Sequence, residues 1–269
     1  MLVDFHNHTE LCNHATGKME DYVKAAIRKG ISIFGFADHS PWMPQDRVKL
    51  ALSYEEVPVY ISRVRILQER YNDRKNSPIL IRLGMEMDFV PDRLEEPRRF
   101  LKEYDFDYVI GSVHYIGSWG FDQEAQINGF KKKSVRLIYE TYFHLVRQMI
   151  QTGLFDIVGH LDLVKKFGYF PHEGWDDLQE ETARLLGESG MVVELNTSGM
   201  DKPAHEFFPG PAFLKQLKKY SVPVTLSSDS HDPLEVGRYF DKAVALLKEV
   251  GYREVTAFKK RKKFPVLLD

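Results

Sequence analysis

Short runs of β-branched and aromatic apolar residues recur at about 2–5, 32–37, 79–85, 106–112, 154–159, 191–196 and 222–228. Runs of this length bounded by turn residues read as buried strands, and apolar positions repeating every three or four residues read as amphipathic helices. Helices are predicted in the intervening segments, near 19–29, 54–73, 93–103, 131–152, 174–189, 210–219 and 235–250, with Gly30, Gly153, Gly190 and Gly251 as their terminators. Strands that alternate with helices build a mostly parallel sheet. Seven such units without a Gly-rich dinucleotide turn predict a closed or nearly closed barrel, and the pattern alone leaves an open doubly wound sheet as the alternative. No Pro/Gly/Ser-rich linker and no internal repeat divides the chain, so 1–269 is read as a single domain. The longest irregular stretches, 40–53, 112–130 and 197–209, each follow the C-terminal end of a predicted strand. Barrel enzymes carry their binding and reacting loops at that end.

Composition adds exclusions. Hydrophobic residues at 43% and charged residues at 28% are ordinary for a packed globular protein. A net charge of −2 argues against a protein held to nucleic acid by a broad basic face. The one strongly basic run, Lys259, Lys260, Arg261, Lys262 and Lys263, reads as a solvated tail. Cys12 is the single cysteine and cannot form an internal disulfide, and the N-terminus lacks the charged-then-apolar plan of a secretory signal. No apolar stretch approaches the ~20 residues needed to cross a bilayer. A cytoplasmic protein is expected.

The chemistry lies in where the histidines fall. Of ten, seven sit at or just beyond predicted strand ends: His6, His8, His14, His39, His114, His160 and His231. Glu86 and Asp229 occupy the same kind of place. If the strands are parallel and form a barrel, all nine side chains converge on one rim. His6 and His8 are two apart on an extended segment, so they point to one side, and Asp229-Ser230-His231 repeats that spacing. Buried carboxylates at Glu86 and Asp229 would be costly alone, and bridging two cations removes that cost. Nitrogen and oxygen donors without thiolate point to zinc, iron or manganese. Cys12 lies near His14 but is not read as a ligand. His144 falls within a helix and reads as structural; His172 and His205 lie in loops, His205 on the one that follows the sixth strand.

Taken together, His6-Asn7-His8-Thr9, Asp38-His39, Gly84-Met85-Glu86, Ser112-Val113-His114 and Ser228-Asp229-Ser230-His231 resemble the motifs of the polymerase and histidinol phosphatase (PHP) superfamily, across essentially the whole chain. The resemblance implies a distorted (β/α)7 barrel and a cluster of two or three divalent metal ions. In the trinuclear form, one ion takes His6, His8, Glu86 and Asp229; a second shares Glu86 and takes His114 and His160; a third takes His14, His39 and His231. The segment from Ser112 to Asp122, with Asp38-His39-Ser40-Pro41 and Glu194-Leu195-Asn196-Thr197-Ser198-Gly199, is similar to the corresponding parts of the superfamily's histidinol-phosphate phosphatases. That similarity implies hydrolysis of L-histidinol phosphate in histidine biosynthesis. One departure concerns the phosphate clamp: many relatives carry arginine two residues beyond the glycine of Asn-Thr-Ser-Gly, where this chain has Asp201 followed by Lys202.

The mechanism expected on this basis is attack on phosphorus by a metal-bridged hydroxide, since a bound divalent ion lowers the pKa of water by many units. Catalytic roles fall to Glu86, Asp229 and His231, with Asp229 or His231 protonating the leaving alkoxide. Lys165, Lys166, Lys202 and Arg238 are the candidate phosphate cations. Tyr115, Trp119, Phe121 and Asp122 are the candidates to stack the imidazole and pair with the amine of histidinol phosphate, and His205 is a further candidate contact. The partner is thus a small phosphate monoester, with no nucleic acid and no membrane expected. One alternative is a superfamily member acting on another small phosphate monoester or nucleotide. The other is a protein in which the metals only hold the fold, against which stands the shared, unsaturated ligation implied for Glu86.

Overall fold

The computed structural model describes residues 1–41, 50–72 and 77–268. Parallel strands β1 (Leu2–Asp4), β2 (Ile31–His39), β3 (Leu80–Asp88) and β4 (Tyr108–Ser112) are followed by a small hairpin, β5 (Tyr115–Ile116) and β6 (Trp119–Gly120). The parallel series resumes with β7 (Ile157–Val158), β8 (Val192–Asn196) and β9 (Val224–Ser227). Strand order in the seven-stranded sheet is β1-β2-β3-β4-β7-β8-β9, so chain order is spatial order. Helices α1 (Met19–Arg28), α2 (Val57–Asn72), α3 (Glu95–Glu103), α4 (Val135–Gln151), α5 (Asp176–Ser189), α6 (Pro211–Lys219) and α7 (Phe240–Val250) fall between strands or after the last. The sheet is nearly closed as a barrel, in agreement with the (β/α)7 expectation. Of the irregular stretch 40–53, residues 42–49 lie outside the described residues, as does the end of the helix predicted over 54–73.

Closure depends on polar groups, because β1 and β9 share no continuous ladder. The Phe5 N–H donates to the Leu226 carbonyl at 3.2 Å, and the His8 N–H to that of Ser230 at 3.0 Å. The buried Asn7 amide donates to the Gly35 carbonyl at 3.0 Å while its oxygen accepts from the Ser230 and Ser228 hydroxyls at 2.5 and 3.2 Å. Asp4 accepts from the Ser228 N–H and hydroxyl at 3.0 and 2.5 Å, and burial pushes its carboxyl up to about 6 against the pull of those bonds. Inside the barrel, the fully buried Tyr108 donates to the carbonyl of Phe5 at 2.6 Å and lies 3.0 Å from that of Phe36.

Four differences from the sequence reading have local causes. The basic run is not a tail: Lys259 to Lys263 spans the turn of an antiparallel hairpin, β10 (Glu254–Lys259) and β11 (Lys262–Leu267). The hairpin covers the N-terminal end of the barrel, where Arg261 donates to the Leu154 carbonyl at 2.7 Å and pairs with Asp156, and Arg82 donates to the Phe258 carbonyl at 2.9 Å. The helix expected from 235 starts at Phe240, because Gly237 and Tyr239 take left-handed backbone conformations, φ 65° and 56°. The strand expected over 154–159 shortens to Ile157–Val158, since His160 turns left-handed at φ 22° and leaves the ladder. The loop 112–130 contains the β5–β6 hairpin and a run of 3₁₀ helix, Glu124–Lys131.

Tyr108 fits only because two strands carry glycine beside it: a Cβ on Gly35 would stand 2.2 Å from its hydroxyl, and one on Gly84 2.2 Å from its ring. Over-packing of this kind costs about 1–3 kcal/mol. Gly84→Ala is therefore expected to lower the unfolding free energy by that order, read as a lower denaturant midpoint at unchanged m-value, and an unaltered midpoint would show that the ring moves freely.

Candidate metal centre

Strand register brings the first polar groups together. His39 and Glu86 are paired Cα partners at the C-terminal ends of β2 and β3, and β4 continues the rim toward His114. His6 and His8 follow β1, His160 follows β7, and Asp229 and His231 follow β9. His160 and Asp229 are both left-handed, Asp229 at φ 50°, a conformation that costs a non-glycine residue on the order of 1 kcal/mol. At Asp229 the cost is met by Arg238, whose guanidinium donates to the carbonyls of Ser228 and Asp229 at 3.1 and 3.0 Å.

Glu86 is the centre of the arrangement. Its Oε2 lies 3.3 Å from His6 Nε2, 3.7 Å from His8 Nε2 and 2.8 Å from His39 Nδ1, and its Oε1 lies 3.1 Å from His160 Nε2 and 3.6 Å from His114 Nε2. Asp229 Oδ1 stands 3.8 Å from His6 Nε2 and 3.4 Å from His8 Nε2. Donor atoms of His6, His8 and Glu86 form one compact group within 4.8 Å, those of Glu86, His114 and His160 a second, and those of His8, His39 and His231 a third. The third set expected from sequence had His14 where the geometry brings His8. The His14 ring is beside the set, with centroids 4.6 Å from His231 and 5.4 Å from His39, and its Nδ1 donates to the Cys12 carbonyl at 2.9 Å.

A second layer of carboxylates fixes the rings. His6 Nδ1 is 2.9 Å from Glu194 Oε2, His8 Nδ1 3.4 Å from Asp38, and His114 Nδ1 2.9 Å from Asp88. Each contact sets a carboxylate oxygen against Nδ1 and leaves Nε2 facing the cluster. Glu194, Asp38 and Asp88 were not assigned roles in the sequence reading. The available signal was a lone acid in or at the end of an apolar run, as in Val192-Val193-Glu194-Leu195. Cys12 is buried, and its thiol belongs to a group with His8 and Asp38, on the Nδ1 side of the His8 ring.

The fit to cations follows from what these atoms lack. His6 Nε2, His8 Nε2, His39 Nδ1 and Glu86 Oε2 are buried without a hydrogen-bond partner, although only a few ångströms from one another. His39 Nδ1 and Glu86 Oε2 are close in distance yet not aligned to share a proton. His114 Nε2 and His160 Nε2 face each other at 3.2 Å. Buried polar atoms without partners are rare, and several converging lone pairs are satisfied by a cation. Burial opposes charge on Glu86, but His39, His6 and a bond from His160 hold its carboxyl well below the usual range. Burial likewise opposes charge on His6 and His8, and the facing carboxylates outweigh it and raise both rings well above 6.5. Burial and neighbouring imidazolium charge push His14 down to about 4 and lower His39 and His231.

Above the cluster opens a cavity of about 470 Å³ whose wall includes His14, His39, Glu86, His114, His160, Asp229 and His231, with His6 and His8 buried beneath. Asp122, Lys166, Lys202 and Arg238 also line it, so four of the nine expected substrate contacts are brought to the site. The other five are not. Phe121 is fully buried against Tyr142, Trp119 packs edge-on to Phe130 with its N–H on the Gln126 carbonyl, and the Tyr115 hydroxyl accepts from Gln123, so these aromatics build the loop instead of the wall. Lys165 is buried between Asp162 and Glu206, at 2.9 and 2.8 Å, and His205 is exposed off the wall. Asp201, at the position of the departure, holds Arg238 at 3.1 Å.

The family model described as the PHP domain matches residues 4–198. The chain belongs to the PHP domain family. Over its whole length this PHP protein is similar to a probable histidinol-phosphatase of Deinococcus radiodurans, 37% identical across 98% of this chain and 99% of that protein. It is similar to the histidinol-phosphatase of Bacillus subtilis at 27% identity, over 88% of this chain and 96% of that one. In fold it resembles a Lactococcus lactis histidinol phosphate phosphatase solved with zinc, L-histidinol and phosphate, at TM-score 0.82, 24% identity and 98% coverage of both chains. Among the described residues no helix is long and apolar enough to cross a membrane.

Ion binding must displace the protons that His6 and His8 hold well above pH 6.5, so apparent affinity for zinc should rise with pH below their raised pKa values. The slope is expected to approach two decades per pH unit, measured by chelator competition with elemental analysis beside it. A pH-independent affinity, or a single bound ion distant from Glu86, would refute this account of the cluster.

Proposed function

We propose that this chain is a phosphomonoesterase that hydrolyses L-histidinol phosphate to L-histidinol and phosphate, acting with two or three divalent ions held by the nine rim residues. The observation that carries the reading is Glu86, one of whose oxygens faces His6 and His8 while the other faces His114 and His160. A carboxylate so placed can bridge two cations. His6, His8 and Asp229 complete one site and His114 and His160 the second; His39 and His231, with His14 or His8, would hold a third. When bound, divalent ions supply Lewis-acid polarisation of the phosphoryl oxygens and lower the pKa of an attacking water. The similarity to curated histidinol-phosphatases over the full length supports the substrate, and we assign the whole chain, 1–269, to one such cytoplasmic unit.

The residues around the cluster then have distinct tasks. Burial works against charge on Asp229, and His6, His8 and His231 more than reverse that, so its carboxyl stays well below the usual range. Asp229 is therefore ionised at rest and can take the proton of the attacking water and pass it to the leaving alkoxide, while Asn196 and Ser198 hold its other oxygen at 3.2 and 3.3 Å. His231, kept neutral, suits ligation better than proton donation. Lys202, Lys166 and Arg238 on the wall supply positive charge for the phosphate. Arg238 has most of its N–H groups committed to Ser228, Asp229, Asp201 and Glu235, and Lys166 is bonded to Asp122, so Lys202 is the freer to follow substrate. The Lys166 ammonium lies 2.7 Å from the Asp122 carbonyl and 3.6 Å from its carboxylate, and Asp122 and Glu124 are the acids this loop brings to the wall to meet a cationic amine.

Two outcomes follow. Glu86→Gln should lose at least about a hundredfold in kcat and shed ions, whereas His205→Ala, exposed and off the wall, should stay within about threefold of wild type; equal losses would remove the bridging role. L-Histidinol phosphate should exceed p-nitrophenyl phosphate in kcat/KM by about a hundredfold or more, a preference that Asp122→Asn erodes with little effect on the poorer substrate. Equal efficiency toward both compounds would leave only a general phosphomonoesterase.

A further inference from the structure

Glu194 lies in the middle of β8 and is fully buried, and it is absent from the cavity wall. A carboxylate in such a place needs several donors, and it has three. The His160 N–H donates to Oε1 at 2.7 Å, the Asn196 amide to the same oxygen at 2.8 Å, and His6 Nδ1 stands 2.9 Å from Oε2 and 3.2 Å from Oε1. The first two come from β8 itself and from the residue where β7 leaves the sheet, so they anchor the carboxylate from two sides and aim it at a ring on β1.

We propose that Glu194 is the positioning residue that makes His6 a ligand: it fixes the imidazole with its proton on Nδ1 and its Nε2 lone pair turned toward Glu86 and Asp229. The inference rests on reading the cluster as an ion site. A neutral imidazole carries one proton, and the partner of one nitrogen decides which atom keeps it. His6 Nε2 is buried without a hydrogen-bond partner, 3.3 Å from Glu86 Oε2 and 3.8 Å from Asp229 Oδ1. With the proton on the wrong nitrogen, it could not bind a cation there. A buried glutamate that merely satisfied the core would not need its carboxylate in place of the isosteric amide.

Glu194→Gln tests this in the full-length protein, stripped and reloaded with zinc. The amide can still accept from the His160 N–H, but its other end offers N–H groups to His6 Nδ1 and so favours the Nε2–H tautomer. Zinc affinity, read by competition with a chromophoric chelator, should fall about 10–100-fold with the ion-free melting temperature retained. In a His6→Ala background the same substitution should cost less than about threefold, because the ring through which it acts is gone. Glu194→Asp, which keeps the charge at a shorter reach, should lose less than Glu194→Gln and serves if the amide variant does not fold. Wild-type zinc affinity in Glu194→Gln and Glu194→Asp, or an undiminished loss in the His6→Ala background, would overturn the inference alone. A wild-type protein that binds no zinc would overturn the ion-site reading and this inference with it.

Discussion

A carboxylate removed from water costs several kcal/mol unless charge or hydrogen bonds are returned to it. Glu86 is 1% exposed, and apart from the Ser112 hydroxyl at 2.6 Å, what surrounds it is imidazole nitrogen on both of its oxygens. Four further buried or half-buried carboxylates, Asp38, Asp88, Glu194 and Asp229, stand behind or beside the same rings. So much negative charge in one barrel rim must be offset. Without cations the offset comes from protons on His6 and His8; divalent ions would displace those protons and take the rings as ligands.

That exchange requires rings held where the lone pairs already converge. Parallel register fixes the Cα positions, closure through Asp4, Asn7, Ser228 and Ser230 keeps β1 against β9, and the second-layer carboxylates stand against the Nδ1 atoms of His6 and His114. Left-handed backbone at His160 and Asp229 turns two side chains inward from strands that would otherwise carry them past the rim. The strain is held by charge: His160 through its N–H on Glu194, Asp229 through its carbonyl on Arg238.

Above the rim, the cavity separates recognition from reaction. The ions and basic side chains would respond to any phosphate monoester, so discrimination has to come from the wall. The aromatic residues of the 115–121 segment do not supply it directly. They fold the loop on itself, and the loop delivers Asp122 and Glu124 to a wall that Lys166, Lys202 and Arg238 also line. A cavity wall that carries both acid and base suits a zwitterionic substrate better than a simple anion.

The seven strand-helix units, and the placement of seven histidines with Glu86 and Asp229 at strand ends, were legible in the sequence, because period and position along an element are one-dimensional properties. So was the family, since its motifs are short and local. The division of ligands was less so: whether His14 or His8 joins His39 and His231 in the third group depends on which rings face one another across β1, β2 and β9. The fates of Lys165, Phe121 and the basic run at 259–263 were likewise tertiary, because a charge reads as solvated and an aromatic as available until burial is known. Lys165 met Asp162 and Glu206 inside, Phe121 met Tyr142, and the basic run became the turn that closes the barrel floor. Glu194 shows the limit most clearly. In the sequence it is one acid in an apolar strand; only the fold, by bringing β1, β7 and β8 side by side, decides that its partners are His6 and His160.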